Sequence, residues 1–292
     1  MTEDIRDRPS LRHDDILNLN FIRSPGGYFY RRHYRAGLRS HIMEVLKRGD
    51  WEQEERGVTK DKLTWFPRAK PIKMLRLFRT PFRNLDEAEE ELRRVKVILS
   101  YLGPNHLATS EEFLVSYQVL GHTELLLCGL QEYVDGEILD PWTRFDNDHL
   151  AFLFTRIDPD NQKNRVMETD QWIRTVRKKA EHFIKKIKEM ILETNHVPDL
   201  AGIGNLLLTR NGDIKLVDIN NVSNVSFENT IQLDDRGYPV CDKSIEALFR
   251  LEQAFVGPSI PGESNIYRVF LDPQRLKEIN AIQEAFHVAM QS

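Results

Sequence analysis

Between Pro198 and Asn220 two short apolar runs, Leu206-Leu207-Leu208 and Ile214-Lys215-Leu216-Val217, flank the dipeptide Asn211-Gly212. Asn-Gly readily adopts the left-handed backbone of a two-residue hairpin turn, so the runs are predicted to pair as antiparallel strands. The pairing fixes what lies at the open end. Asn205 stands just before the first strand and Asp218 at the end of the second, so their oxygen atoms converge, and Asp199 lies one loop upstream.

The rest of the chain divides by periodicity. Phe21-Ile22-Arg23 and Tyr28-Phe29-Tyr30 flank Pro25-Gly26-Gly27 and read as a hairpin. Residues 49–62 are charged and poorly patterned, whereas Thr64-Trp65-Phe66 and Pro71 to Phe78 read as β-type segments, the second bearing Lys73. Asn84 or Asp86 caps a helix from about Glu87 to Leu102, whose stripe of Ala88, Leu92, Val95, Leu99 and Leu102 ends at Gly103-Pro104. Phe113 to Tyr117 and Glu124 to Leu130, separated by Gly121, read as two more strands. After Asp135-Gly136 the pattern turns helical, and Ile173, Val176, Ala180, Phe183, Ile184, Ile187 and Ile191 mark one face of a long helix. The fold class expected is therefore α+β: a β-rich lobe with one main helix over residues 1–130, opening on a polar leader of about residues 1–17, then a larger, mainly α lobe over 131–292.

With 40% hydrophobic and 29% charged residues among 292, the chain has ordinary globular composition. Its longest apolar runs are too short to span a bilayer, and its polar start lacks the core of a signal peptide, so a cytoplasmic protein is expected. Cys128 and Cys241 form no metal-binding or disulfide pattern. A net charge of -4 argues against nucleic acid as a partner. Arg31-Arg32-His33 with Arg35, and the lysines near 178–186, read as solvated faces.

Asp199-Leu200, then Asn205-Leu206-Leu207-Leu208, then Ile214-Lys215-Leu216-Val217-Asp218 resemble the catalytic loop and metal-binding aspartate of the protein-kinase-like superfamily, in its atypical or small-molecule-kinase-like, bacterial-type form. The resemblance implies a bilobal kinase-like fold, ATP and Mg²⁺ as cofactors, and transfer of phosphate to an unknown acceptor, protein or small molecule. It implies Asp199 as the residue that orients or deprotonates the acceptor hydroxyl, and Asn205 and Asp218 as ligands of Mg²⁺. Gln131 to Glu137 is similar to the family's hinge: backbone groups near Glu132 and Val134 would meet adenine, with Glu137 or Asp135 at the ribose. Lys73 resembles the strand lysine on the α/β-phosphates, with Lys70 and Arg76 as competitors. Glu91 is its ion-pair partner on the following helix, where it falls at the edge of the apolar stripe while Glu89 and Glu90 point away.

The sequence also departs from the family. The loop from Asp199 to Asn205 is one residue longer than usual, Val197 stands where a histidine is common, and Asp218-Ile219-Asn220 replaces Asp-Phe-Gly. Gly26-Gly27 is a poor phosphate loop and no Ala-Pro-Glu follows. Two functions follow: an ATP- and Mg-dependent phosphotransferase, or a catalytically inactive pseudokinase that binds nucleotide or a partner.

Overall fold

Largely buried runs along Lys73–Phe78 (β5), Ser40–Lys47 (β2) and His122–Glu132 (β7) pair at the centre of a sheet. A computed structural model describes residues 4–23, 25–34, 39–119, 121–159, 168–258 and 264–291. They group into two compact units, Met1–Arg93 with Ala108–Tyr133 and Arg94–Leu107 with Val134–Ser292. Within the first unit, Tyr28–Arg32 (β1) and Ser110–Val119 (β6) complete a five-stranded antiparallel sheet in the order β1-β2-β5-β7-β6.

One face of this sheet carries Tyr30, Met43, Val45, Leu75, Leu77, Tyr117, Leu126 and Cys128, and all are buried. What covers them is the N-terminal segment, so the polar leader is an integral layer. Ile5, Leu11, Leu19 and Ile16, the last in the short helix His13–Leu17 (α1), join the same core. The Ile5 N–H donates to the Tyr117 hydroxyl, and Arg6 bridges Asp4 and Glu124.

The predicted first hairpin is corrected. Pro25–Gly27 forms a 3₁₀ turn, and β1 pairs with β2, Tyr30 against Val45 and Arg31 against Glu44. The physical reason is burial: Ile42 to Leu46 offers a longer apolar strand, while Phe21 and Ile22 pack half-buried beside the leader. Residues 49–62 also have more order than their pattern predicts. Arg48–Arg56 is a helix (α2), seated by Trp51 stacking on Phe29 at 3.9 Å between ring centres. Val58–Lys60 (β3) and Leu63–Trp65 (β4) follow as a hairpin whose turn residues, Asp61 and Lys62, take the positive φ of 51° and 66° that such a tight connection requires. The predicted helix after β5 runs over Leu85–Leu102 (α3).

The second unit is mainly helical. After Gly136–Ile138 (β8) and Asn147–Ile157 (α4), the 26-residue helix Thr169–Thr194 (α5) buries Trp172, Ile173, Val176, Ala180, Phe183, Ile184, Ile187, Met190 and Ile191 along the stripe the sequence predicts. It stops at Asn195, which turns left-handed at φ 55°. Four short strands come next: His196–Pro198 (β9), Leu206–Thr209 (β10), Ile214–Leu216 (β11) and Val222–Asn224 (β12). With β8 they form a three-stranded sheet, β11-β10-β8, and a two-stranded ribbon, β12-β9. Helices Val240–Phe255 (α6), Asn265–Phe270 (α7) and Pro273–Gln291 (α8) close the unit. Among the described residues no helix is long and apolar enough to cross a membrane.

A buried ion pair ties the end of the chain to α6. Arg275 donates to Asp242 from Nε at 2.5 Å and from Nη2 at 3.2 Å, and its Nη1 reaches the Glu228 carbonyl. Burial pushes the Asp242 carboxyl up from its ordinary range and Arg275 pulls it back only in part. Removing one member strands the other charge. Arg275→Ala should therefore lower stability by about 3–5 kcal/mol, read as a drop in the urea midpoint; an unchanged midpoint would refute a structural role for the pair.

Candidate functional site

In the second unit β9 and β12 pair with Pro198 against Val222, and the ladder continues one step further: the Asp199 N–H donates to the Asn221 carbonyl at 2.8 Å. Asp199 therefore sits where β9 ends, beside the connection from β11 to β12 that carries Asp218, Ile219, Asn220 and Asn221. The predicted hairpin over β10 and β11 forms with Leu207 opposite Lys215, but its connection runs over 210–213 rather than two residues, and Gly212 at φ 73°, not Asn211, takes the left-handed position. The Val217 N–H donates to the Asn205 carbonyl at 2.9 Å, which fastens Asn205 to the residue before Asp218.

The loop between Asp199 and Asn205 is held from inside. Asp199 Oδ1 accepts from the N–H groups of Ala201 and Gly202, each at 3.0 Å, and Oδ2 accepts from the Asn221 amide at 2.9 Å. Asn205 Nδ2 donates to the Asp199 carbonyl at 3.0 Å, which turns its amide oxygen the other way. Gly202 has to be glycine here, because a Cβ at that position would meet Asn205 Nδ2 at 2.4 Å. From outside, the Ser244 hydroxyl on α6 accepts from the Leu200 N–H, and the Trp142 indole donates to the Ala201 carbonyl at 2.9 Å. Lys243, itself buried, lies over the Trp142 ring at 4.4 Å.

Electrostatics follow from this packing. Burial, then the negative charge of nearby Asp218, pushes the Asp199 carboxyl up from 3.8 to about 6, although its three hydrogen bonds pull the other way. The Tyr238 phenol is pushed up to about 12 by burial and then by the charge of Asp199, so it too belongs to this neighbourhood. Asn221, Ser244, Trp142 and Tyr238 are the participants the motif did not reveal. Among the described residues no group of three or more His, Cys, Asp and Glu is placed to hold a metal. With both Asp199 oxygens committed, the donors left are the Asp218 carboxylate and the Asn205 amide oxygen, a set that fits a hard cation keeping most of its own water.

The remaining predicted residues are placed as follows. Val134, half-buried, precedes β8, and Glu137 within β8 lies opposite Leu208 of β10, with its carboxylate 3.1 Å from Arg156. In the first unit Lys73 opens β5, half-buried and cross-strand from Glu132, on the face shared with Tyr30 and Val45. Among the described residues Lys73 forms no ion pair. Arg76 points to the opposite face of β5, 4% exposed, where Gly129 leaves room for it beside Glu112. Burial pushes the Glu112 carboxyl up. The Glu132 N–H donates to the Thr109 carbonyl at 2.8 Å, so it is spent inside the unit. Glu91 is half-buried while Glu90 is exposed and bonds Arg93, the orientation the helical stripe predicts.

No protein family and no curated protein matches this sequence. Among solved structures, a ROP18 kinase domain in complex with AMP-PNP and sucrose aligns over 91% of this chain and 83% of its own length, at 11% identity and a TM-score of 0.36. A likeness that loose transfers nothing by itself.

The electrostatic reading is directly testable. Carbon-detected NMR should find Asp199 titrating near pH 6, with Asp218→Asn shifting it down by removing a like charge and Asn221→Ala shifting it up by removing a donor. A titration near the ordinary 3.8 would refute the raised carboxyl, and no change in Asp218→Asn would show that the two aspartates do not interact.

Proposed function

We propose that the chain is an ATP- and Mg²⁺-dependent phosphotransferase of protein-kinase-like fold that acts on an acceptor hydroxyl. The observation that carries this reading is the joining of Asp199, Asn205 and Asp218 through the Asp199–Asn205 and Asn205–Val217 hydrogen bonds. Support comes also from the order of elements: the strand bearing Lys73 is third across its sheet, and a long helix, α3, follows it. On this reading the two units are the lobes of the fold, residues 131–137 are its hinge, and Lys73 with Glu91 serves the phosphates.

Asp218 and the amide oxygen of Asn205 would hold Mg²⁺, which when bound supplies positive charge against the phosphate oxygens. Asp199 has a different task. Its carboxyl, raised toward neutrality, is a stronger base than an ordinary aspartate, and the turn it caps fixes its direction. It holds the acceptor hydroxyl and takes up its proton as phosphate is transferred. Glu132 and Val134 would offer adenine backbone groups, with the Glu132 carbonyl rather than its N–H available, and Glu137 or Asp135 would meet the ribose.

A second reading, a pseudokinase that binds nucleotide without turnover, is favoured by the saturation of Asp199, both of whose carboxylate oxygens already accept hydrogen bonds. Two substitutions separate the readings. Asp218→Asn should lower Mg-dependent ATP affinity about tenfold or more in calorimetry while the fold survives, because it removes the charge that offsets the metal. Asp199→Asn should spare binding and lower turnover about a hundredfold or more. Binding without turnover for any acceptor supports the pseudokinase; no Mg-dependent nucleotide binding in the unaltered protein defeats both.

A further inference from the structure

Unit one holds a pocket of about 470 Å³ that the reading above does not use, within the size range of small-molecule sites. Its floor is a rigid charge lattice. Arg31 donates from Nε to Glu44 at 2.7 Å, from Nη1 to Glu54 at 2.6 Å, and from Nη2 to the Ala69 carbonyl at 3.0 Å. The other oxygen of Glu44 meets His33 Nδ1 at 2.8 Å, and Glu54 also accepts from the Ala69 N–H at 2.7 Å. Although burial works against it, these bonds from His33 and Arg31 hold Glu44 below the usual carboxylate range. The lattice joins β1, β2, α2 and the approach to β5, and it leaves both carboxylates committed.

The mouth is different in kind. Arg32 and Arg68 line it, both are exposed, and among the described residues neither has an ion-pair partner. Tyr34 and Phe66 line it too, at 70% and 65% exposure. Three guanidiniums against two committed carboxylates leave the pocket positive. A planar guanidinium fork suits a phosphate, and an outward aromatic ring suits a flat heterocycle, which stacks on it with little regard to its identity. An acidic side chain would satisfy the arginines alone and an apolar group the rings alone. One ligand that uses both is a phosphate attached to a base.

We propose that this pocket is a metal-independent site for a nucleoside phosphate, its phosphate held by Arg32 and Arg68 and its base stacked on Phe66. The proposal is independent of Asp199, Asn205 and Asp218, and the test keeps the two apart. AMP is titrated calorimetrically into the full chain in EDTA, a condition that removes Mg-dependent binding. Saturable binding is expected, weakened about tenfold or more by Arg32→Ala and by Arg68→Ala and severalfold by Phe66→Ala, and unchanged in Asp218→Asn. Because these side chains are exposed, circular dichroism should show each variant folded; Arg68→Lys, which keeps the charge and loses the fork, should fall between. Adenosine and inorganic phosphate should each bind more weakly than AMP. No AMP binding in EDTA, equal binding by the Arg32→Ala/Arg68→Ala double variant, or loss in Asp218→Asn would overturn the proposal. Inorganic phosphate binding as tightly as AMP would overturn the role of Phe66, and a single-stranded oligonucleotide binding far more tightly than AMP would replace the small ligand with nucleic acid.

Discussion

The hydrogen bond from the Asp199 N–H to the Asn221 carbonyl is the constraint on which the acidic cluster depends. It extends the two-stranded ribbon of β9 and β12 by one rung and so brings the end of one strand to the start of another that lies beyond the β10–β11 hairpin. The chain between these points must loop out and return, and the hairpin is how it does so. Without that rung Asp199 and Asp218 would sit on separate loops. With it, the carboxylates are near enough for each charge to be felt by the other. Apolar burial supplies the rigidity: Val197, Leu200, Leu206, Leu208, Leu216 and Ile219 all enter the core lined by α5. Fully burying side chains of this kind contributes about 1.5–3 kcal/mol each, an upper estimate because unfolded chains are already partly compact.

That arrangement costs stability. A carboxyl held at about 6 rather than 3.8 favours the fold when protonated, so its contribution is complete below about pH 4 and is lost as pH rises through 6. Near neutral pH the charged Asp199 opposes folding, and its three hydrogen bonds offset the opposition only in part. An assembly that keeps like charges together at the expense of stability is what a cation-binding or proton-accepting site requires. In Asp242 and Arg275 the same unit solves the opposite problem, pairing a buried carboxylate with its counter-ion.

The first unit rests on a different balance. Its sheet is covered on one face by the N-terminal segment, so residues that look like a solvated leader supply Ile5, Leu11, Ile16 and Leu19 to the core. Strand alternation then separates the two candidate cations that lie within β5: Lys73 and Arg76 are three apart, and an odd spacing sends them to opposite faces. The lattice around Arg31 fixes the β1–β2 edge in the same way, because an arginine that donates to two carboxylates and a carbonyl has no alternative geometry of comparable quality.

Periodicity determined the long helix of α5, the stripe of α3 and the α+β class, and the Asn211-Gly212 turn the β10–β11 hairpin, because each depends on neighbours in the chain. The Asp-Leu, Asn and Asp pattern likewise marked Asp199, Asn205 and Asp218 as belonging together. Tertiary structure decided the rest. Nothing local told β1 to pair with β2 across a loop rather than fold back on Phe21 to Arg23; that choice came from the apolar area Ile42 to Leu46 could bury. Nothing local showed that Asn221, Ser244 and Trp142 would support the Asp199 loop, since these bonds span 22, 44 and 59 positions of chain. Nor could composition show that Arg31 would be locked between two glutamates while Arg32, its neighbour, stayed exposed: a one-residue step along a strand reverses the face, and only the packed sheet says which face is which.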